Sequence, residues 1–388
     1  MTRSQSQPLR VLLWHWGRRG GGPRYTLELA RELAERDDLE VFLSLSRQSE
    51  MYAEFGSIPV AGRFDIDTYT SLPQFALRTL QLPLLRRRFA TYLRRERINV
   101  VFCTMDHLWG SFLVGAIRSA GALYLLTVHD AMRHPGEDHG MRQWLLRRDV
   151  AASDGALVLT ESVRELLIAH HGYPRDHTFL STLGNFSYGH RDAPRELPRD
   201  RPVRLLFFGR IIAYKGLDLL LSALSRLQAE FPGLSLEIWG AGDLGPYRAR
   251  LSGLSAVRLE NRWIREEEIA GVFERTDLAI LPYREASQSA VVATAFAAGM
   301  PCIATPIPGL REQVADGVTG LIAAGMDPDD LAEAIARPLR DGALYRRLSA
   351  GCLHVANTSL NWTAIGASVV DALFALGRMG PRHGQGGR

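Results

Sequence analysis

Lysine is almost missing from this chain. Of its 388 residues, 46 are Lys or Arg, and Lys215 is the only lysine. A chain that meets nearly every need for positive charge with arginine invites a site-specific reason for its one exception. Cysteine is scarce too: Cys103, Cys302 and Cys352 stand isolated in apolar stretches, which excludes a CxxC metal site and a disulfide framework and fits a reducing cytoplasm. The first ten residues are polar, and the apolar run from Val11 to Trp16 is too short for a secretory leader or a membrane span. A net charge of only +4 gives no reason to expect a nucleic-acid partner.

What is present has the make-up of a globular protein, 46% apolar and 23% charged, and its length asks for two cores rather than one. Short apolar runs alternate with helical patterns in two successive blocks. Val11–Trp14, Leu39–Leu45, Val100–Thr104, Leu123–Val128 and Ala156–Thr160 read as strands of the first block. Arg204–Phe208, Ser235–Trp239, Val257–Glu260, Leu278–Leu281 and Cys302–Thr305 read as strands of the second. The expected organisation is a Rossmann-like α/β domain over 1–187, a proline-bearing linker over 188–202 and a second Rossmann-like domain over 203–361. A helix over 362–376 would follow, placed to pack back on the first domain, and then a disordered tail over 377–388. Ligands of doubly wound sheets bind at the carboxyl ends of the strands, so the loops there are the candidate sites.

Four such loops carry chemistry. Gly17-Arg18-Arg19-Gly20-Gly21-Gly22-Pro23 lies between a strand and a helix, where bare backbone can approach an anion or a sugar, although it lacks the GxGxxG spacing. Thr127-Val128-His129-Asp130 ends a strand with a histidine able to hydrogen-bond a substrate hydroxyl. Nearby His134, Glu137, Asp138 and His139 make a zinc site conceivable, but without HExxH spacing no metal is expected. Gly209-Arg210-Ile211-Ile212-Ala213-Tyr214-Lys215-Gly216 sets a flexible ammonium and a planar guanidinium before a helix, a combination suited to phosphate. Pro282 to Ala290 offers Glu285, Ser287, Gln288 and Ser289 to a polyhydroxyl ligand, unless Ser287 only caps the helix that follows.

The second block, from Phe207 to Ile322, resembles the donor-binding domain of family 4 glycosyltransferases of the GT-B fold. The resemblance rests on Gly209-Arg210 with Lys215-Gly216, on Gly240-Ala241-Gly242, and on the run from Ala295 through Gly299-Met300-Pro301 to Thr305. Pro308-Gly309-Leu310 and Gly317-Val318-Thr319-Gly320-Leu321 complete it. The first block is similar more weakly, through Gly21-Gly22 ahead of its first helix and His129-Asp130. The resemblance implies two Rossmann-like domains facing across a cleft. It implies a retaining, metal-independent transfer of a sugar from a UDP- or GDP-sugar to a glycan, lipid-linked or small-molecule acceptor, with no separate cofactor. Arg210 and Lys215 would bind the diphosphate, Gly21 and Gly22 would close over it, and His129 would contact the sugar. Glu285 joins these as a catalytic candidate, and Gly242, Trp263, Ser287, Gln288, Ser289 and Thr294 as further donor contacts. Many members carry a pair of Glu residues at the positions held here by Ala286 and Thr294, which puts the ribose contact in question. An epimerase of similar fold and an inactive sugar-nucleotide-binding protein are the competing readings. The string Asp65-Ile66-Asp67 lies in the first block and is discounted as a Mg²⁺ site.

Between Leu72 and Arg97 an amphipathic stretch sets Phe75, Leu77, Leu80, Leu82, Leu84, Leu85, Phe89 and Tyr92 beside Arg78, Arg86, Arg87, Arg88, Arg94, Arg95 and Arg97. It reads either as an ordinary helix with a solvated arginine face or as a peripheral contact with the anionic inner face of the plasma membrane.

Overall fold

Runs rich in Val, Ile, Leu and Phe, each ending in a polar or glycine-bearing turn, become the strands of two all-parallel sheets whose two faces are both covered by helices. The computed structural model describes residues 7–132, 140–189 and 191–382. The chain divides into two units: the first runs to Met132, resumes before residue 140, ends at Thr182 and takes the chain again from Trp362, and the second is Leu183–Asn361.

The first unit holds a seven-stranded sheet of β1 (Leu9–His15), β2 (Leu39–Leu45), β3 (Gly62–Arg63), β4 (Val100–Cys103), β5 (Leu123–Val128), β6 (Gly155–Val158) and β7 (Thr178–Leu180), in the order β3-β2-β1-β4-β5-β6-β7. Its helices are α1 (Gly21–Ala34), α2 (Leu72–Leu80), α3 (Leu82–Arg95), α4 (Gly110–Ser119), α5 (Gly140–Ala152) and α6 (Glu161–His171). The second unit holds β8 (Arg204–Phe208), β9 (Ser235–Trp239), β10 (Val257–Glu260), β11 (Leu278–Leu281), β12 (Cys302–Ala304) and β13 (Gly320–Ile322), ordered β10-β9-β8-β11-β12-β13. With it go α7 (Leu217–Glu230), α8 (Arg248–Ser252), α9 (Glu266–Arg275), α10 (Ala290–Ala297), α11 (Pro308–Gln313), α12 (Pro328–Arg340) and α13 (Gly342–Asn357). Alternation along β8 splits the core: Leu205 and Phe207 join one buried cluster, Leu206 the other. Each sheet reverses direction of growth at its first strand, β1 and β8, and the glycine loop and the lysine loop leave from those two strands.

The last helix, α14 (Trp362–Met379), belongs to the first unit. Trp362 packs on Tyr25 at 5.9 Å, Thr363 donates to Glu32 at 3.2 Å, and Ser368 pairs with Ser181 at 2.6 Å. It runs to Met379 rather than stopping at 376, because Leu376 is fully buried and anchors the last turn. Of the tail expected to be disordered, Arg382 stacks over Tyr173 at 4.3 Å and donates to Ala151, so the chain is tied down up to that point. The expected linker is likewise no free tether. Arg195 is 8% exposed and donates to the carbonyls of Phe273, Thr276 and Ala298 at 2.6–2.9 Å, covering the C-terminal ends of α9 and α10, so the whole segment from Leu183 is part of the second unit. Strands β3, β7 and β13 have two or three residues each, too few to show a period in sequence.

Candidate active site

In the second unit the loop after β8 is shaped by glycine. Gly216 has φ 65°, and a Cβ there would sit 1.9 Å from the carbonyl oxygen of Pro282, so only glycine lets the lysine loop close on the end of β11. That closeness brings the third and fourth loops together. Lys215 Nζ donates to the Tyr283 hydroxyl at 2.9 Å and stands 4.2 Å from the centre of the same ring. The ammonium is thus held by a hydrogen bond and by the ring's π face at once. Tyr283 is 2% exposed and its hydroxyl lies 3.4 Å from Ser289 Oγ. Ser289 N–H donates to Gln313 Oε1 at 2.7 Å, and Gln313 Nε2 donates back to the Ser289 carbonyl, which clamps the loop to α11. Arg210 is exposed beside this network and donates to the Tyr214 hydroxyl at 3.3 Å.

The remaining candidates of this unit fall into two groups. Ser287 and Ser289 are buried in the fourth loop, Gln288 is half-buried between them, and Glu285 is exposed at its rim. The residue preceding α10 is Ser289, and its side chain turns to Tyr283 instead of capping the helix, so Ser287 is not the cap. Gly242 is pinned in the loop after β9, donating from its N–H to Asn261 Oδ1 at 2.9 Å. Trp263 is 42% exposed, a free ring face at the unit's surface. Thr294 spends its hydroxyl on the Ala290 carbonyl one turn back, at 3.0 Å, and lies inside α10 rather than at its mouth. Tyr283 and Gln313 carried no signal of their own: one reads as a strand-end aromatic, the other as a helix amide 98 residues from Lys215 in sequence numbering.

In the first unit Gly21 and Gly22 form the first turn of α1 rather than a loop ahead of it. They differ in what they face. A Cβ on Gly22 would meet His15 Cε1 and Met105 Sδ at 2.8 Å, whereas one on Gly21 would meet nothing within 4 Å. Gly22 therefore serves packing, and Gly21 is the position with open space for a ligand. His15, the buried last residue of β1, accepts or donates at Nδ1 to Thr104 Oγ1 at 3.3 Å. Burial, aided by His107 and His129, lowers its pKa to about 3, so it is a neutral imidazole at physiological pH. His129 places Nε2 2.9 Å from the Thr104 carbonyl, which can only accept, so Nε2 carries the proton. Its ring meets Tyr25 edge-on at 5.6 Å. His15 was legible as a polar residue closing an apolar strand just before the glycines, yet sequence reasoning passed it over.

Asp65 and Asp67 are engaged by arginines: Asp65 with Arg63 at 2.8 Å and Tyr52 at 2.9 Å, Asp67 with Arg47 and Arg78 at 3.6 and 3.9 Å. No group of three or more metal-ligating side chains occurs among the described residues. His134, Glu137, Asp138 and His139 lie outside them.

Residues 19–180 match the family described as Glycosyltransferase Family 4, and residues 202–341 match the one described as Glycosyl transferases group 1. The chain is 30% identical to D-inositol 3-phosphate glycosyltransferase 1 of Catenulispora acidiphila over 309 residues, 72% of either chain. It is 27% identical to glycogen synthase of Mycobacterium tuberculosis over 265 residues, 65% of this chain and 63% of the relative, so a little under two thirds of that protein's length is matched. The Anabaena protein HepE, crystallised with UDP, shares the fold at a TM-score of 0.71, with 15% identity and coverage of 95% of this chain and 100% of its own.

Proposed function

Because this chain belongs to glycosyltransferase family 4, we propose that its second unit holds a nucleotide-diphosphate sugar and that the protein transfers the sugar to a hydroxyl acceptor with retention of configuration and without a metal ion. The carrying observation is Lys215, the one lysine of the chain, fixed by Tyr283 where the lysine loop meets the fourth loop. When the bond from the anomeric carbon to the diphosphate breaks, negative charge grows on the leaving oxygen. Cations already held in place meet that charge without reorganising. Lys215 acts as a point charge and the exposed guanidinium of Arg210 binds a second oxygen edge. Ser287, Gln288 and Ser289 supply short polar contacts to ribose or sugar hydroxyls, with Glu285 and Gly242 beside them, and the exposed ring of Trp263 is a stacking face for the base. Binding of UDP and UDP-glucose by the Anabaena protein supports a nucleotide-sugar of this class.

The first unit takes the acceptor, a glycan, a lipid-linked saccharide or a small polyol, at the end of its sheet near Gly21 and His129. His129 contacts the transferred sugar, and neutral His15 buttresses the glycine turn. The exposed leucines of α2 and α3, with Leu72 83%, Leu80 80% and Leu84 60% exposed beside Arg87 and Arg88, rest on anionic lipid and present this unit to a membrane-borne acceptor. No single helix among the described residues is long and apolar enough to cross a membrane.

A thermal-shift screen of UDP-, GDP- and ADP-sugars is the first test, since a ligand of the folded state raises the unfolding temperature. Transfer by the stabilising donor should survive EDTA, and NMR of the first-formed product should show the donor's anomeric configuration. Inversion, or loss of turnover with EDTA that Mg²⁺ restores, contradicts the mechanism.

A further inference from the structure

Where α2 turns into α3, a cavity of about 150 Å³ opens against the edge of the first unit's sheet. Its lining is lopsided in charge. Arg47 follows β2, Arg78 lies in the last turn of α2 and Arg88 nearly two turns into α3, and all three line the same space. Two acidic side chains answer them. Asp65 is already satisfied from outside the cavity by Arg63, Tyr52 and the Leu45 N–H. Asp67 stands between Arg47 and Arg78 at 3.6 and 3.9 Å, beyond hydrogen-bond length from both, while its oxygen accepts from Gln48 at 3.1 Å. Arg88 has no ion pair among the described residues. Three arginines thus line one cavity, with one loosely held carboxylate shared by two of them. The forked donors of arginine match the oxygen edges of a phosphate.

The rest of the lining is apolar. Trp109 is held rigid by its Nε1 donating to Thr79 Oγ1 at 3.1 Å and by stacking on Phe75, centroids 5.8 Å apart and 9° between planes. Leu85 backs it, and Leu84, 60% exposed, leads from the cavity to the open leucine face of α2 and α3. The cavity also adjoins the acceptor end of the unit: Trp109 contacts His107 at 5.3 Å and Tyr69 at 5.6 Å, and Arg18 of the glycine loop lies 4.6 Å over the Tyr69 ring.

We propose that this arginine-lined cavity is a binding site for a phosphate ester, the anionic end of an acceptor or of a lipid, seated on Arg47, Arg78 and Arg88. Its role in transfer rests on the function proposed above, but binding itself does not, and the test separates the two. sn-Glycerol 3-phosphate is titrated by calorimetry into an Arg210→Gln/Lys215→Ala double variant, which silences the anion site of the second unit. Saturable binding should persist there, weaken as salt rises, and fall about tenfold or more with each of Arg78→Gln and Arg88→Gln. Asp67→Asn removes the competing carboxylate and should tighten binding, an outcome that a misfolded variant would not give. Dihexanoyl-phosphatidylglycerol binding more tightly than glycerol 3-phosphate, with the gain lost in Leu84→Gln, identifies the source as lipid; equal affinities identify a free phosphate ester. Glycerol 3-phosphate affinity indifferent to Arg78→Gln, Arg88→Gln and Asp67→Asn alike, or absent while the fold is intact, overturns the site. Loss of transfer with binding intact faults the proposed function and leaves the cavity's assignment standing.

Discussion

At the scale of single residues the proposed chemistry gathers around Lys215. Its ammonium has two independent attachments to Tyr283, one to the hydroxyl and one to the ring face. Lys215→Ala should lower turnover about 10²- to 10³-fold with an unchanged unfolding midpoint, as for loss of one fixed electrostatic stabiliser. Tyr283→Phe keeps the ring and removes the hydroxyl. Steady-state kinetics should then show a smaller loss, about tenfold and mainly in kcat, because the lysine stays in place but is less well aimed. Near-normal turnover in the lysine variant would remove that side chain from the mechanism. His129→Ala should lower kcat more than donor affinity, measured by binding and turnover in parallel; equal losses would leave it a positioning residue only. The lysine and histidine predictions start from residues visible in sequence. The partner that holds Lys215 was not visible, because a contact between positions 215 and 283 exists only once Gly216 has let two strand-end loops touch.

At the scale of elements, two segments behave differently from their sequence pattern. The prolines and mixed charges after Tyr188 suggest a tether, yet Arg195 sits buried over the ends of α9 and α10 and satisfies three carbonyls there. Arg195→Met fills similar space without the donors and should destabilise the second unit by about 2–4 kcal/mol, read from urea midpoints. A change within experimental scatter would mean that water replaces the guanidinium. The stretch from Leu72 to Arg97 is two helices broken at Gln81, not one. Phe89 and Tyr92 enter the core while Leu72, Leu77, Leu80 and Leu84 remain outside, so the periodicity recorded two apolar faces superimposed. With a contribution of about 1 kcal/mol from each cation at an anionic surface, replacing Arg86, Arg87 and Arg88 by Gln should weaken sedimentation with anionic vesicles about a hundredfold and leave neutral vesicles unbound. If the wild type ignores both kinds of vesicle, the lipid contact is wrong. Arg86 lies along α4 over Gly115, so Arg87 and Arg88 should carry most of the effect.

At the scale of the whole molecule, stability should respond to pH through buried groups whose contributions have opposite sign. Asp149 is buried among Tyr124, Gly110 and the end of β4, and burial, with Asp106 adding to it, raises its pKa from 3.8 to about 7. The native state therefore binds its proton more tightly than the unfolded chain, and this contribution is full below pH 4 and is lost as pH rises to about 7. His15 and His107, both lowered to about 3 by burial, work the other way: their contribution is full above pH 6.5 and is lost as pH falls. The opposing contributions partly cancel in the wild type, so the difference between Asp149→Asn and wild type is the quantity to measure. That variant should gain stability relative to wild type as pH is raised from 4 to 8, on the order of a few kcal/mol in total. Urea midpoints that move in parallel for the two proteins across this range would show that Asp149 does not carry the proton.

Alternating strand and helix signals, the lone lysine and the glycine series were enough to determine two doubly wound domains and their family, and to single out four strand-end loops as candidates, because each of these is a local property of spacing or residue type. Strands β8, β9 and β11 coincide with the apolar runs, since burial on both faces makes a parallel strand a largely apolar segment. Tertiary structure alone decided which side chains meet. It set Tyr283 against Lys215, separated Gly21 from Gly22 in purpose, committed Thr294 to its own helix and brought α14 back to α1. It also collected Arg47, Arg78 and Arg88 around one cavity, although they lie 41 positions apart along a chain full of arginine. Contacts between residues distant in sequence follow from how sheets, helices and close glycine approaches pack, and no local pattern encodes that geometry.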